Sequence, residues 1–526
     1  MRPATAPASP RPAATPIAVW LERAVAACLF LLAAAAPHSI AATQAAWLLA
    51  MTFWVARFAF RPRPAARRTP VDYALLGFFI LTFVSALFSY DPAASIGKLR
   101  AASLFTIVYV VAQNVRDRRV LRALVFTLVA SCAVNVVYTF AAYAAGRGIK
   151  VEALAAESAL RAAGVREGDT ILSVDGAPAR NPAELAGGIL NERQAADKIY
   201  RWPDGKTACV WDAEAACVRV YRVEALPAFR VARGALPEGE TAEARLGLAA
   251  WGRGRDERAS GFFGHYTTYA EALQLIASLA LGLLVALRRK ASLRGALLAL
   301  ALAGMCGALV LTVTRASWAG FALSAFTVAL VGASRRALLL TAAAALPLAL
   351  AGLFVLQQKR QVGLIDLKEG STAWRLIVWR EGLGILAASP RHLLVGVGMD
   401  SLKRYRVEWG MFDRGRQPWG HLHSTPLQIA FERGLPALAA WLALLFVYGR
   451  MLWRLARREE GAGWVRRGLA LGALGGTVGF FASGLVHYNL GDSEVAEIFY
   501  LVMGLALAAD WLSRAGPSGA GGPARA

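Results

Sequence analysis

The chain has 526 residues, of which 57% are hydrophobic and 18% are charged, and its mean hydropathy is +0.44. This is too little polar surface to cover a soluble globule, so the composition excludes a soluble protein and predicts a polytopic membrane protein. The net charge of +23 does not by itself indicate nucleic acid, because basic residues in an apolar chain first serve to fix its topology.

Twelve apolar runs are long enough to span a bilayer, and each must be helical because lipid satisfies no backbone group. They lie near residues 17–36, 40–60, 71–89, 100–114, 119–144, 266–287, 293–312, 316–333, 336–356, 426–449, 468–487 and 495–512. Residues 1–16 lack the apolar core and cleavage site of a signal peptide, and we expect them, like residues 513–526, to be a disordered cytoplasmic tail. The predicted fold class is an all-α polytopic membrane protein with about twelve transmembrane helices.

The connections between these runs differ in charge, and basic loops stay in the cytoplasm. Arginine-rich connections such as 61–68, 288–290 and 454–467 place both termini inside and two long segments, 145–265 and 357–425, outside. All six histidines then fall on the outer side. Residues 357–425 hold eleven Lys/Arg against six Asp/Glu, whereas 145–265 holds seventeen of each, so the surplus predicts an anionic ligand at 357–425.

The first outer segment contains a stretch with the pattern of a small folded module. Residues 149–154 predict a strand, 157–163 a short helix and 170–174 a second strand between Gly-Asp and Asp-Gly turns, and Pro182 opens a second helix. This succession resembles a bacterial PDZ domain over about 148–229, which implies an α+β periplasmic insert that binds a periplasmic protein. The loop with which PDZ domains hold a peptide carboxylate is not evident.

The five cysteines fall into two groups. Cys28, Cys132 and Cys306 lie in apolar runs, where they serve as small hydrophobes. Cys209 and Cys217 flank a short polar stretch that predicts a hairpin tip, and an oxidising outer compartment would permit a disulfide between them. Two reduced, packed cysteines are the alternative.

Several short motifs surround the outer segments. Arg375 and Trp379 stand four residues apart, and Ser389-Pro390 precedes Gly396-Val397-Gly398. Further upstream, residues 312–318 read Thr-Val-Thr-Arg-Ala-Ser-Trp, with Arg315 in a short turn between two apolar runs. An early loop carries Ser85 and Ser89 followed by Asp91-Pro92, a pattern that an ordinary helix end also gives.

The central motif is His423-Ser424, where a polar loop becomes an apolar helix that contains Gly434. Together with the motifs above it resembles the O-antigen ligase and O-antigen polymerase family of bacterial inner-membrane enzymes. Ala437 replaces the second glycine usual in that family, a departure that concerns helix packing more than chemistry.

The resemblance implies an enzyme that transfers a glycan from an undecaprenyl-diphosphate carrier to an acceptor hydroxyl at the periplasmic face, without metal, nucleotide cofactor or nucleic acid. Lipid A-core is the first expected acceptor; a growing glycan and a protein hydroxyl are the alternatives. A neutral imidazole suits the general base, and guanidinium groups suit the diphosphate, so His423, Arg315 and Arg375 are the catalytic candidates. The substrate-binding candidates are Trp379, Arg380, Arg404, Arg406 and His421.

Each candidate has a structural alternative. Arg315 and Arg375 could extend to lipid headgroups, and the more distal arginines could form a solvated basic surface. Ser424 or Thr425 could cap the following helix, and His421 with His423 could bind zinc. Asp492 and Glu494, near the start of the last apolar run, are candidate partners that orient His423.

Two other classes of protein share some of these features. A secondary transporter also has about twelve helices, but carriers place ionisable residues at mid-membrane within repeated halves, and no repeat is apparent here. A scaffold that recruits partners through the insert would not need twelve helices.

Overall fold

The computed structural model describes residues 15–191, 199–201, 208–210, 214–222, 227–332, 354, 370–416, 420–458 and 463–514. Its contacts divide the chain into a large helical unit and a smaller unit formed mainly by residues 137–259.

The helices are numbered here in chain order. They are α1 Pro16–Ala35, α2 Ile40–Arg57, α3 Asp72–Leu87, α4 Pro92–Ala102, α5 Thr106–Asn114, α6 Arg118–Ala145, α7 Ala159–Ala162, α8 Pro182–Leu190, α9 Ala242–Leu246, α10 Tyr266–Ala286, α11 Leu293–Leu311, α12 Arg315–Gly332, α13 Gly370–Ala387, α14 Pro390–Val395, α15 Ser401–Tyr405, α16 Met411–Arg414, α17 Thr425–Arg458, α18 Trp464–Gly484 and α19 Ser493–Arg514. Gly434 has non-helical angles and divides α17 into two straight parts, with Pro436 just beyond the break.

Helices occupy eleven of the twelve predicted runs, and the run near 336–356 lies almost entirely outside the described residues. Among the described residues, eight helical stretches are long and apolar enough to cross a membrane, and α3 is a shorter apolar helix. The protein is therefore a multi-pass membrane protein, as predicted; the part of the chain that the structure describes supports eight spans, and the count of twelve stays a prediction.

Helices α10 and α18 form the tightest contact in the helical unit. Gly472 of α18 packs so closely against α10 that a Cβ atom there would lie 2.5 Å from Cα of Leu279. Small residues allow this approach of two backbones within a membrane. The contact fixes α10, which carries the buried Glu271, beside α18, which leads into the loop that contains His487.

The smaller unit is built on an antiparallel sheet. Its strands are β1 Ile149–Leu154, β2 Thr170–Val174, β3 Ala177–Pro178, β4 Ile199–Arg201, β5 Ala208–Val210, β6 Ala215–Tyr221, β7 Ala228–Ala232 and β8 Leu248–Arg253. The main sheet has the order β7-β6-β2-β1-β8, with β3 paired to β2. Apolar residues of β1, β2 and β6 form its core beneath α8.

The insert has the predicted order of strand, short helix, strand and helix, but two details differ. The sheet extends beyond the predicted limit near 229, because β8 pairs with β1. The predicted hairpin between the strands that carry Cys209 and Cys217 is wrong, because β5 pairs with β4 whereas β6 pairs with β2 and β7. Cys217 is disulfide-bonded, whereas Cys28, Cys132 and Cys306 are free thiols.

Candidate functional site

The loop before α17, residues 420–424, holds two histidines in contact. His423 has a φ of +48°, a left-handed conformation that histidine adopts more often than most residues with a Cβ. Its backbone N–H donates to Nδ1 of His421 at 3.1 Å, and the two rings lie 4.0 Å apart. Because Nδ1 of His421 accepts a hydrogen bond, its neutral imidazole carries the proton on Nε2. We call residues 420–424 the histidine loop.

Helix α13 supports the histidine loop from one side. The ring of Trp374 meets the ring of His423 edge-on at 4.7 Å. One turn further, Nε1 of Trp379 donates to the carbonyl oxygen of Leu422 at 2.6 Å. Gln428 of α17 accepts the N–H of Leu422 at 2.7 Å. The structure therefore gives Trp379 a supporting contact with the loop, and its contact with the substrate stays a prediction.

Residues 487–489 hold the histidine loop from another side. The N–H of Thr425 donates to the carbonyl oxygen of His487 at 2.9 Å. The hydroxyl of Thr425 lies 3.1 Å from the same oxygen and 2.7 Å from Oδ1 of Asn489. The hydroxyl of Thr425 thus bonds another segment instead of capping its own helix, which corrects the alternative in which Thr425 was the cap.

Beneath this contact lies a carboxylate and imidazole pair that the sequence motifs did not indicate. Nδ1 of His487 is 2.8 Å from Oε1 of Glu271, and these residues are 8% and 1% exposed. Asp492, one of the expected partners of His423, instead accepts a hydrogen bond from the hydroxyl of Thr268 at 2.9 Å. Burial, with the nearby carboxylate of Glu271, raises the pKa of Asp492 to about 7.

The imidazoles of His421 and His487 are neutral at pH 7. Burial lowers the pKa of His421 to about 4, and the neighbouring charges of His487, His265 and Arg375 contribute further. Burial likewise lowers the pKa of His487 to about 3, with a smaller contribution from Arg375. The charge of Arg375 therefore acts directly on this cluster, as a predicted cationic site residue should.

Arg315 lies at the start of α12, directly after a strained turn. Val313 in that turn is buried and has a φ of +52°, which is a genuine outlier for a β-branched residue. Nε1 of Trp318 donates to the carbonyl oxygen of Leu309 at 2.8 Å and closes the turn. Backbone strain of this kind concentrates at functional sites. Arg315 itself is half-buried.

The other predicted basic contacts lie on more exposed surfaces. Arg380 is exposed and lines a cavity of about 360 Å³ together with Leu376, Ile377 and Glu381. Arg404 is exposed and pairs with Asp91 at 3.4 Å, and Arg406 bonds the carbonyl oxygen of Lys403. This placement favours the solvated basic surface over direct contact with the reacting groups.

The glycine and serine motifs build the support under the site. Gly396 has a φ of +70° and packs against the backbone of Glu432, where any side chain would overlap it. The N–H groups of Val397 and Gly398 donate at 2.9 Å to the carbonyl oxygens of Phe431 and Glu432. Ser85 donates to the same oxygen of Glu432 at 2.8 Å. The carbonyl oxygens of Phe431 and Glu432 lie just before the break in α17, and they accept hydrogen bonds from residues outside that helix. The glycine and serine motifs therefore stabilise the packing around this break.

The zinc alternative for the two histidines gains no support from the geometry. Nδ1 of His421 is already engaged by the N–H of His423. Among the described residues, no group of three histidine, cysteine or acidic side chains is arranged to hold a metal ion.

Fold and site together define a multi-pass membrane protein that gathers neutral imidazoles in polar loops at the ends of its helices, close to an arginine of α13. Residues 298–442 match the family described as O-antigen ligase, and this stretch contains Arg315, Arg375 and His423. Over this stretch the match supports the resemblance to that family that the motifs predicted. A comparison with curated proteins gives no match. The likeness of the insert to a PDZ domain stays a prediction.

Proposed function

We propose that the protein transfers a glycan from an undecaprenyl-diphosphate carrier to a hydroxyl of lipid A-core at the periplasmic face of the bacterial inner membrane, without a metal. The match of residues 298–442 to the O-antigen ligase family supports glycan transfer in general. The finer proposal rests on one observation, the left-handed His423 with its ring between Trp374 and His421, within the field of Arg375.

The proposed chemistry needs one base and one charge stabiliser. The imidazole of His423 takes the proton of the acceptor hydroxyl, and the acceptor oxygen attacks the anomeric carbon of the glycan. The bond between that carbon and the diphosphate oxygen breaks, and the polyprenyl diphosphate leaves with the electron pair. Arg375 and Arg315 stabilise the charge that develops on the leaving diphosphate. Growth of a glycan chain, or transfer to a protein hydroxyl, would use the same donor and residues.

Glycolipid analysis of a deletion strain, with and without the restored protein, tests the proposed function. We expect uncapped lipid A-core and accumulated lipid-linked glycan in the deletion strain, and capped lipopolysaccharide after restoration. Loss of long free chains would indicate a polymerase, and loss of a glycosylated protein would indicate a protein glycosyltransferase. Unchanged glycans of all three kinds would contradict glycan transfer and favour a transporter or scaffold.

Topology provides a separate prediction, because a periplasmic site requires the insert and the basic loops to lie on opposite sides of the membrane. The connection at residues 288–290 is Arg-Arg-Lys and should stay in the cytoplasm. Reporter fusions at Gly239 and after Lys290 should therefore give opposite signals in a pair of compartment-specific assays. The same signal from both fusions would refute the arrangement.

The insert should be dispensable for basal transfer. Its two ends meet, because Ile149 pairs with Arg253 across β1 and β8 and the N–H of Arg147 donates to the carbonyl oxygen of Gly254 at 2.7 Å. A short Gly/Ser linker can therefore replace residues 149–253 without stretching the chain. We expect the shortened protein to insert into the membrane and keep transfer in vitro, while its choice of acceptor or partner changes. Complete loss of transfer by a correctly inserted variant would show that the insert takes part in the reaction.

A further inference from the structure

Glu271 and His487 form a continuous chain of contacts with the base of the histidine loop. The carboxylate holds Nδ1 of His487 at 2.8 Å, and the carbonyl oxygen of His487 accepts the N–H of Thr425 at 2.9 Å. Thr425 follows the left-handed His423 by two residues and begins α17. Each link is a hydrogen bond between buried groups, so a change at Glu271 is transmitted to the backbone of the loop.

The side chain of Glu271 is buried, which costs free energy unless its polar atoms are hydrogen-bonded. Glu271 is the single acidic residue of α10, and burying a carboxylate is unfavourable unless it is hydrogen-bonded. Oε1 of Glu271 is satisfied by His487, whereas Oε2 has no hydrogen-bond partner among the described residues. A residue kept only for packing would be better served by leucine, which suggests that His487 is what Glu271 is there to hold.

We propose that Glu271 and His487 are a positioning pair of the site: the carboxylate fixes the ring of His487, and with it the carbonyl oxygen that holds Thr425 and the conformation of His423. The ring is fixed because a side-chain oxygen hydrogen-bonded to Nδ1 holds an imidazole in one orientation. The backbone of His487 then presents its carbonyl oxygen to both donor groups of Thr425. Only the catalytic consequence rests on the proposed function.

Glu271→Leu and Glu271→Gln separate packing from positioning. Leucine removes the hydrogen bond, and a displacement of the reacting groups by about 1 Å can cost on the order of 10²-fold in rate. We expect Glu271→Leu to lower kcat by at least about tenfold with little change in KM, and Glu271→Gln to keep most of the activity because its amide oxygen still accepts from Nδ1–H. Glu497, which is also 1% exposed but lies on α19, is the matched control. Glu497→Leu should leave kcat unchanged.

Two substitutions of His487 test which ring atom matters. Asparagine places an amide near the position of Nδ1 and can keep the bond to Glu271, whereas glutamine places its amide near Nε2 and loses that bond. A positioning pair predicts that His487→Asn keeps activity and His487→Gln loses it. The reverse result would assign the function to Nε2 and would overturn the proposal.

Hydrogen exchange provides a measurement that does not depend on glycan transfer. In the full-length protein in detergent, the peptide that covers residues 421–428 should exchange at least about tenfold faster in Glu271→Leu than in wild type, because the Thr425 amide loses its fixed acceptor. Glu497→Leu should not change this peptide. Unchanged exchange of this peptide in Glu271→Leu would contradict the proposal, even if the wild-type protein transfers glycan. Faster exchange in Glu271→Leu, together with a wild-type protein that transfers no glycan, would uphold the pair and reject the proposed function.

Discussion

His423→Ala is expected to abolish glycan transfer while leaving the protein folded. Removal of a general base costs roughly 10²–10⁴-fold in rate. The side chain of His423 is only partly buried, and the loop keeps its bonds through Leu422 and Thr425, so folding should not depend on the imidazole. The measurement is transfer from a purified polyprenyl-diphosphate glycan in detergent, with a chelator present. Wild-type-like activity would remove the proposed base, and inhibition by the chelator would revive the zinc alternative.

Two comparisons make the result specific. His423→Gln keeps a polar side chain without a titrating group, and it should be as inactive as His423→Ala. His38 lies away from the histidine loop, where its Nε2 lies 2.8 Å from the hydroxyl of Ser131, and His38→Ala should keep the wild-type rate. The activity of His421→Ala should lie between those of His423→Ala and His38→Ala, because His421 accepts the N–H of His423 but is not the proposed base.

The boundary between loop and helix at His423 was accessible from the sequence, but its backbone conformation was not. A polar segment followed by Thr425-Pro426 and an apolar run marks the start of a helix. The left-handed φ of His423 depends on contacts with Leu422 from α13 and with Thr425 from residues 487–489, and sequence spacing does not encode such contacts. The motif therefore located the residue, whereas tertiary packing determined its geometry.

Glu271, the acidic partner of His487, could not be identified from the sequence motifs. The expected partners, Asp492 and Glu494, were chosen for their position near an outer helix end. Glu271 instead lies within an apolar run, 216 residues before His487, and only the packing of α10 against α18 brings the two together. A single acidic residue in a predicted transmembrane helix was the available signal, since such residues are costly and commonly functional.

In the insert, too, the sequence predicted the individual elements but not the pairing of distant strands. The order of strand, helix, strand and helix followed from turns and alternating patterns within about thirty residues. The pairing of β8 with β1 joins segments about a hundred residues apart, and the predicted hairpin at Cys209 and Cys217 failed because β6 found its partners in β2 and β7. Local patterns specify elements, whereas strand partners depend on the whole sheet.

Arg375→Ala is expected to be nearly as damaging as His423→Ala, and Arg375→Lys should recover only part of the loss. An ammonium supplies charge, but it lacks the planar fork that can bind two phosphate oxygens at once. Arg375 stands next to Trp374, whose ring contacts His423, and this proximity supports its proposed role in stabilising the leaving diphosphate. Arg315→Ala should also lose most activity. Arg404, which is exposed and paired with Asp91, provides the matched control, and Arg404→Ala should have a small effect.

The pH dependence of glycan transfer distinguishes the electrostatic effect of Arg375 on the histidines from its proposed contact with the diphosphate. Its positive charge adds to burial in lowering the pKa of His421 and of His487. Removing that charge makes protonation of these imidazoles less unfavourable, so both pKa values rise in Arg375→Ala, although burial keeps them below the usual range. Where protonation of these imidazoles limits transfer, the acid limb of the residual activity should therefore move to higher pH in Arg375→Ala but not in Arg375→Lys, which keeps the charge. An Arg375→Lys enzyme with the full wild-type rate would show that charge alone is sufficient and would rule out bidentate binding of the diphosphate.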